Sequence, residues 1–198
     1  MSANNILTLF ALALAAAWTP GPNNALLAGS GAKFGLRRTV PHALGVGLGF
    51  PAMVLIIGLF LGVAFQKSAL LRDVLRYGGA AMLLWVAWKI ASAGGLGSAS
   101  GPTRPFYFHE AVAFQWINPK GWVMAISLTA QFINPAYMLK TALIIAAVFI
   151  VCGLSSAFGW AWLGTGLRQF LSVGHRMRIF DISMGAIIAL GVVFLLRD

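Results

Sequence analysis

Six stretches of 20 or more mainly apolar residues dominate the sequence and limit the folds that it can adopt. They run over residues 6–32, 41–65, 74–93, 106–133, 137–166 and 177–196. A helix needs about 20 mainly apolar residues to cross a bilayer. Because 60% of the 198 residues are hydrophobic, almost nothing is left for a soluble domain. We therefore predict an all-α membrane protein with six transmembrane helices.

Proline motifs interrupt the first and fourth stretches at matching depths. They read Thr19-Pro20-Gly21-Pro22-Asn23-Asn24 and Ile117-Asn118-Pro119-Lys120-Gly121. An interior proline costs a helix about 3 kcal/mol, and a lysine at the bilayer centre costs about 2.5 to 3.5 kcal/mol on insertion scales. Interrupted segments at corresponding positions of two halves predict the binding site of a secondary transporter. The alternatives are a simple kink at the prolines and a Lys120 side chain that reaches the membrane interface.

A Gly, Ser and Pro-rich segment divides the chain into two halves of three spans each. We predict a first repeat at 1–93, a linker at 94–105 and a second repeat at 106–198, within one transmembrane domain. An odd number of spans per half makes the second half enter from the opposite side, so the repeats must be inverted. Helices 1 and 4 are the broken ones.

The breaks predict a site for a small ligand with a carboxylate. Pro22 suits the first position of a new half-helix, which would leave the amides of Asn23, Asn24 and Ala25 free for a carboxylate. Lys120 supplies a positive charge for the same group or for a carboxylate of the protein. We expect Asn23, Asn24 and Asn118 to orient the amino end of a zwitterionic ligand or to steady the broken backbone. The predicted substrate-binding residues are Pro20, Gly21, Pro22, Asn23, Asn24, Gln115, Asn118, Pro119 and Lys120, with Gln115 lining the cavity.

Few titratable residues lie within the spans. Asp181 is the stronger candidate for proton coupling, and His42 is the other because it titrates near neutral pH. The alternatives are local pairing at an interface for Asp181 and Glu110, and a helix-cap or surface position for His42. The histidines have no metal-ligand spacing, and hydrolase and nucleotide-binding motifs are absent from the sequence. We expect no metal, no cofactor and no enzyme activity.

The net charge of +10 is dispersed over short connections, which argues against nucleic-acid binding. Eight Lys and Arg residues fall on one side and five on the other. Since cytoplasmic loops collect basic residues, both termini are predicted to be periplasmic. Gly45, Gly49, Gly58 and Gly62 indicate close helix packing in the second span and are compatible with a homodimer.

These motifs resemble the lysine-exporter superfamily, in particular its homoserine/threonine-exporter branch. The resemblance covers the whole length and rests on the two proline motifs, Gly35-Leu36-Arg37-Arg38, Gly45-Val46-Gly47-Leu48-Gly49, Leu83-Leu84-Trp85-Val86-Ala87-Trp88-Lys89 and Phe114-Gln115-Trp116. It implies a bacterial inner-membrane exporter of amino acids or their derivatives, driven by the proton gradient. The Asn23-Asn24 pair is most similar to members that export cysteine and O-acetylserine. Two positions depart from the family pattern: Met82, where Tyr is common, and Asp181, where Asn is usual.

The function expected from the sequence is export of a small neutral amino acid, with cysteine/O-acetylserine or threonine/homoserine as model substrates, in the lipid bilayer. The alternative is a channel or pore for small anions or polar solutes, because half-helix ends and a lysine could also select passing anions.

Overall fold

A computed structural model describes residues 1–61, 69–92 and 103–197, and in these ranges the chain is helical with no strand. Nine α-helices follow one another here: α1 Ala3–Trp18, α2 Pro22–Phe34, α3 Leu36–Ile56, α4 Ala69–Ala91, α5 Phe108–Ile117, α6 Pro119–Phe132, α7 Met138–Gly166, α8 Arg168–Leu171 and α9 Arg176–Arg197. A π turn at Ile57–Leu61 extends α3, and a 3₁₀ turn at Pro135–Tyr137 precedes α7. Residues 94–102, which are most of the predicted linker at 94–105, lie outside the described residues.

Two described helices are long and apolar enough to cross a membrane. They are Leu36–Phe60, with 25 residues, and Pro135–Gly166, with 32. A third crossing results if α1 and α2, which meet at an angle of 55°, form one broken span. The all-helical membrane fold is thus confirmed, whereas the count of six spans stays a prediction.

The helix α3 begins earlier than the apolar stretch that predicted it. The stretch starts at Pro41, but the helix starts at Leu36, directly after Gly35. Pro41 therefore lies inside α3 and not at its start. His42, which follows it, is only 1% exposed, so the expected helix-cap or surface position for this residue is wrong.

Glycines on α3 allow close contact with α5. A Cβ atom at Gly45 would lie within contact distance of the Phe108 carbonyl oxygen, and one at Gly49 would lie 3.0 Å from Val112 Cα. The predicted close packing is confirmed at these two positions, and it occurs within the chain. These glycines consequently give no support to a homodimer. Gly62 lies outside the described residues.

The largest buried cluster lies beside the helix breaks. It joins Leu9 of α1, Phe50 and Met53 of α3, and Ile145 and Phe149 of α7. The rings of Phe50 and Phe149 meet edge to face, with their centroids 5.0 Å apart. Inside a bilayer such side chains stabilise the helix contacts through van der Waals packing, because lipid is as apolar as the protein interior. The cluster packs α3 and α7 against α1, which is the first half of the broken span.

Candidate functional site

The first break separates α1 from α2 and leaves the start of α2 uncapped. Gly21 is the N-cap residue, makes no side-chain capping bond, and is followed by Pro22 at the first helical position. First-turn amides lack an intrahelical acceptor, so the N–H groups of Asn23 and Asn24 are available to a ligand. The Ala25 amide donates to the Gly21 carbonyl at 2.9 Å, so the expectation that it is free is wrong.

Side chains from three helices donate hydrogen bonds to carbonyl groups at the C-terminal end of α1. The Ala17 carbonyl accepts hydrogen bonds from Asn24 Nδ2 at 2.9 Å and from Ser156 Oγ at 2.7 Å. The Thr19 carbonyl accepts from Asn24 Nδ2 at 3.0 Å and from Lys120 Nζ at 2.8 Å. The C-terminal end of a helix carries partial negative charge, which favours the Lys120 ammonium at this position.

The second break, between α5 and α6, is capped by the protein itself. Asn118 ends α5 and begins α6, and its Oδ1 atom accepts a hydrogen bond from the Lys120 N–H at 3.2 Å. Pro119 occupies the first position of α6. The Trp116 carbonyl accepts from Trp122 Nε1 at 2.8 Å. The two breaks therefore differ: the first offers free amides, and the second offers a lysine.

The breaks from the two halves meet in space. Besides the contact of Lys120 with Thr19, a Cβ atom at Gly21 would lie 3.1 Å from both Cδ and Nζ of Lys120. Gly21 thus provides the space in which the lysine side chain lies. A second link joins Asn23 Nδ2 to Gln115 Oε1 at 2.8 Å.

Gln115 holds Asn23 from behind. Its side chain is fully buried, and its Nε2 donates to the Ala111 carbonyl at 2.8 Å within α5. This bond fixes the amide so that Oε1 faces Asn23. Gln115 does not lie among the residues that line the cavity described below, so its role in the site is to position Asn23.

A cavity of about 60 Å³ lies where the breaks meet. That volume has room for about four water molecules. Its polar lining consists of Asn23, Asn24, Asn118, Lys120 and Ser156, and much of its apolar lining of Val46, Phe50, Met124, Phe149 and Ala157. Gly21 and Pro22 complete the first break in the lining, while Pro20 is exposed outside it. Among the lining residues in the described part of the chain, Lys120 is the one that carries a charge.

A family model described as LysE type translocator matches residues 14–198. The chain belongs to the LysE family of translocators. It is a membrane transport protein and not an enzyme, as the sequence predicted.

Curated relatives of this LysE-type translocator include three cysteine/O-acetylserine efflux proteins. The protein from Salmonella typhimurium strain LT2 is 31% identical over 173 residues, which cover 84% of this chain and 86% of the relative. The one from Klebsiella pneumoniae is 30% identical over 171 residues, covering 83% and 84%. The one from Escherichia coli strain UTI89 is 30% identical over 175 residues, covering 84% and 86%. No solved structure matches the chain significantly.

The two candidates for proton coupling lie against the far half of α2 and do not line the cavity. Asp181 of α9 is 1% exposed, and its Oδ2 atom lies 3.1 Å from Lys33 Nζ. His42 of α3 lies with Nδ1 3.2 Å from Ser30 Oγ, and its ring centroid lies 5.1 Å from that of Phe106. Both partners, Ser30 and Lys33, belong to the half-helix that begins at the first break.

Glu110 pairs locally, as one interpretation of the sequence expected. Its two oxygens accept hydrogen bonds from both terminal nitrogens of Arg104 at 2.7 and 2.8 Å. It also accepts from the Tyr107 N–H at 2.8 Å, which caps the start of α5. A bidentate pair combined with a helix cap is a structural role.

Sequence reasoning missed the contribution of α7 to the site. Ser156 and Ala157 lie in a helix of 29 residues that is apolar on all sides, so no periodicity marks the face that meets the cavity. The one signal was the Ser155-Ser156 pair in an otherwise apolar run. Membrane helices often place hydroxyl groups where they bond to neighbouring helices. Ser156 does so by donating to the Ala17 carbonyl.

Proposed function

We propose that this translocator exports small neutral amino acids or their derivatives, of the cysteine/O-acetylserine or threonine/homoserine kind, as a proton-coupled secondary transporter. One observation carries the proposal: a free half-helix N-terminus from one half of the chain and a lysine from the other half meet at a cavity. The names of the curated relatives support the same substrate class.

The site has complementary ends for a zwitterion. The amides of Asn23 and Asn24 lie at the positive end of α2, where a carboxylate is favoured. The carbonyls of Ala17 and Thr19 lie at the negative end of α1, where an amino group is favoured. On this proposal, Lys120 leaves the Thr19 carbonyl to contact the substrate carboxylate. The substrate ammonium takes the place of the lysine at α1.

The chemistry of the lining supports a neutral side chain on the substrate. A lysine or arginine substrate would place a second cation near Lys120, and no carboxylate of the described residues lines the cavity to offset it. An unpaired buried charge is strongly unfavourable. The remaining wall, with Phe50, Met124 and Phe149, suits a short apolar, hydroxyl or sulfur-bearing side chain.

The pattern of helix contacts supports six spans in two inverted repeats. The broken helix of the first half, α1 and α2, packs on α7, and that of the second half, α5 and α6, packs on α3. The corresponding helices also pair, α3 with α7 and α4 with α9. Exchanging the two halves reproduces this set of contacts, as expected for two repeats related by a twofold axis, and an odd number of spans per half would make those repeats inverted. We place the protein in the bacterial inner membrane with both termini periplasmic.

Contacts of α2 support a route from proton binding to the site. Protonation of Asp181 would remove the charge that Lys33 contacts at 3.1 Å, and His42 contacts the same half-helix through Ser30. The amides that would receive the substrate lie at the other end of this rigid element. We propose that Asp181, with His42 as a second group, couples the proton gradient to movement of α2.

Transport by purified protein in proteoliposomes tests the proposal. We expect saturable movement of labelled cysteine or O-acetylserine that follows an imposed pH gradient. Lys120→Met should abolish it without changing the amount of inserted protein. Unchanged transport by Lys120→Met would reject the site assignment. An ohmic current without saturation or pH dependence would favour the channel alternative.

A further inference from the structure

Five exposed arginines gather at one end of the helix bundle. They are Arg37 and Arg38 at the start of α3, Arg168 in α8, and Arg176 and Arg178 at the start of α9. An apolar cluster beneath them joins α2, α8 and α9 through Ala32, Leu171 and Met177. We call this region the arginine end.

The turn between α2 and α3 brings two of these segments close together. Gly35 has φ +79°, a conformation that favours glycine, and a Cβ atom there would lie 3.7 Å from Arg168 Nη1. The guanidinium of Arg168 therefore lies beside the backbone that leads into Arg37 and Arg38. Two segments far apart in sequence, 35–38 and 168–178, thus form one basic surface.

The described carboxylates do not balance the charge of this surface. The described carboxylates at this end are Glu110, which pairs with Arg104, and Asp181, which contacts Lys33. Lys33 and Arg104 together with the five arginines make seven cations against two carboxylates, an excess of five positive charges among the described residues. Such an excess favours an anionic partner.

The residue types indicate which anion fits. A guanidinium binds phosphate through two parallel hydrogen bonds, which an ammonium cannot do. Exposed apolar side chains lie among the arginines: Phe170 is 57% exposed, Val173 56% and Ile179 62%. Arg176 lies over the Phe170 ring, 4.2 Å from its centroid. Guanidinium groups next to exposed apolar side chains match a phosphate headgroup with its acyl chains.

We propose that the arginine end binds the phosphate headgroup of an anionic phospholipid. The site is separate from the cavity at the helix breaks, and its occupancy does not depend on the transported substrate. The general enrichment of basic residues in cytoplasmic loops requires only positive charge, which lysine supplies as well as arginine. The lipid site additionally requires the arginine forks, and this difference can be measured.

Lipid-dependent thermal stability of the purified full-length protein tests the proposal. In a neutral detergent, phosphatidylglycerol should raise the unfolding midpoint in a saturable manner, and phosphatidylcholine at the same concentrations should not. A basic residue near an anionic surface contributes roughly fivefold in affinity. The triple variant R37Q/R168Q/R176Q should therefore need about 100-fold more phosphatidylglycerol for half-saturation.

A matched variant removes the same charge from the opposite end. Arg72 and Arg76 lie in the first part of α4, and Lys140 lies near the start of α7. The arginine end lies toward the other ends of these helices, because α7 ends just before Arg168 and because Gly185 of α9 lies against Ala87 and Ala91 of α4. The variant R72Q/R76Q/K140Q should therefore keep the wild-type response. Equal loss in both triple variants would overturn the proposal in favour of general electrostatic attraction. An equal response to soluble glycerol phosphate would assign the site to free phosphate.

A conservative variant covers the case in which the triple variant fails to fold. Arg168→Lys keeps the charge but removes the fork beside Gly35. It should raise the half-saturating concentration of phosphatidylglycerol several-fold and leave the midpoint without lipid unchanged. An unaltered response of Arg168→Lys would show that the guanidinium is not read, and the proposal would fail.

Discussion

The space beside Gly21 provides the sharpest test of how the two halves cooperate. An alanine Cβ atom at this position would lie 3.1 Å from Cδ and Nζ of Lys120, closer than most Cβ contacts. The backbone itself accepts alanine, because φ of −174° and ψ of −177° are extended values. We therefore expect Gly21→Ala to displace the lysine side chain and to leave the fold intact.

The expected loss of substrate affinity follows from the proposed hydrogen bond between Lys120 and the substrate carboxylate, which the displacement weakens. Hydrogen bonds to charged groups contribute about 1.5 to 3 kcal/mol, which corresponds to roughly 10- to 150-fold in affinity. Lys120 is flexible, so its ammonium recovers part of the interaction. We expect the KM for the amino acid to rise about tenfold. The fold should lose no more than about 1 to 2 kcal/mol of stability, since the weakened Lys120–Thr19 hydrogen bond is partly offset by the about 0.4 to 1 kcal/mol that a Gly→Ala change contributes through the unfolded chain.

Initial rates in proteoliposomes, measured over a range of substrate concentrations, give the KM. Gly29→Ala is the matched control: it lies in the same half-helix, and a Cβ atom there meets no atom within 4 Å. The control should transport like the wild type. If Gly21→Ala also does so at normal expression, the position of Lys120 beside the first break has no role in binding, and the zwitterion site described above is wrong.

Three other variants test separate parts of the site and its coupling. Phe50→Ala enlarges the cavity at its apolar wall and should lower the KM of larger neutral amino acids at least severalfold, without making lysine a substrate. Phe60→Ala, at a position that is 74% exposed, should leave the KM unchanged. Ser156→Ala removes one hydrogen bond from the end of α1 and should cost about 1 kcal/mol of stability, measured by thermal unfolding. Asp181→Asn should destabilise the protein by as much as about 3 to 5 kcal/mol; the double variant with Lys33→Met should recover stability but transport without response to a pH gradient.

The helix breaks were predictable because their signals are local. Proline and its neighbours determine where a helix stops and restarts, so the N-terminus of α2 at Pro22 and of α6 at Pro119 agrees with the sequence. The status of individual amides was harder to predict. Counting from Pro22 left out the carbonyl of the N-cap residue Gly21, which accepts the Ala25 amide.

Contacts between distant segments other than the two breaks could not be predicted from the pattern. Lys33 and Asp181 are 148 positions apart, and each has other charged residues nearer in sequence, such as Arg178 for Asp181. The burial of His42 results from contacts with Ser30 and Phe106, which no sequence motif marks. The apolar wall of the cavity resembles any lipid-facing side of a helix in composition. Only the packing of α3 against α7 distinguishes Phe50 from an apolar residue that faces lipid.

The inequality of the two breaks has a consequence for alternating access. Were both half-helix starts uncapped, a substrate carboxylate could bind equally to either half, and binding would not join them. Here Asn118 caps the start of α6, whereas the amides of Asn23 and Asn24 at the start of α2 are available to a ligand. On the proposed function, a carboxylate that takes these amides and Lys120 together would connect one half to the other. Binding would then change the contact between the halves, which a carrier requires and a passive pore does not.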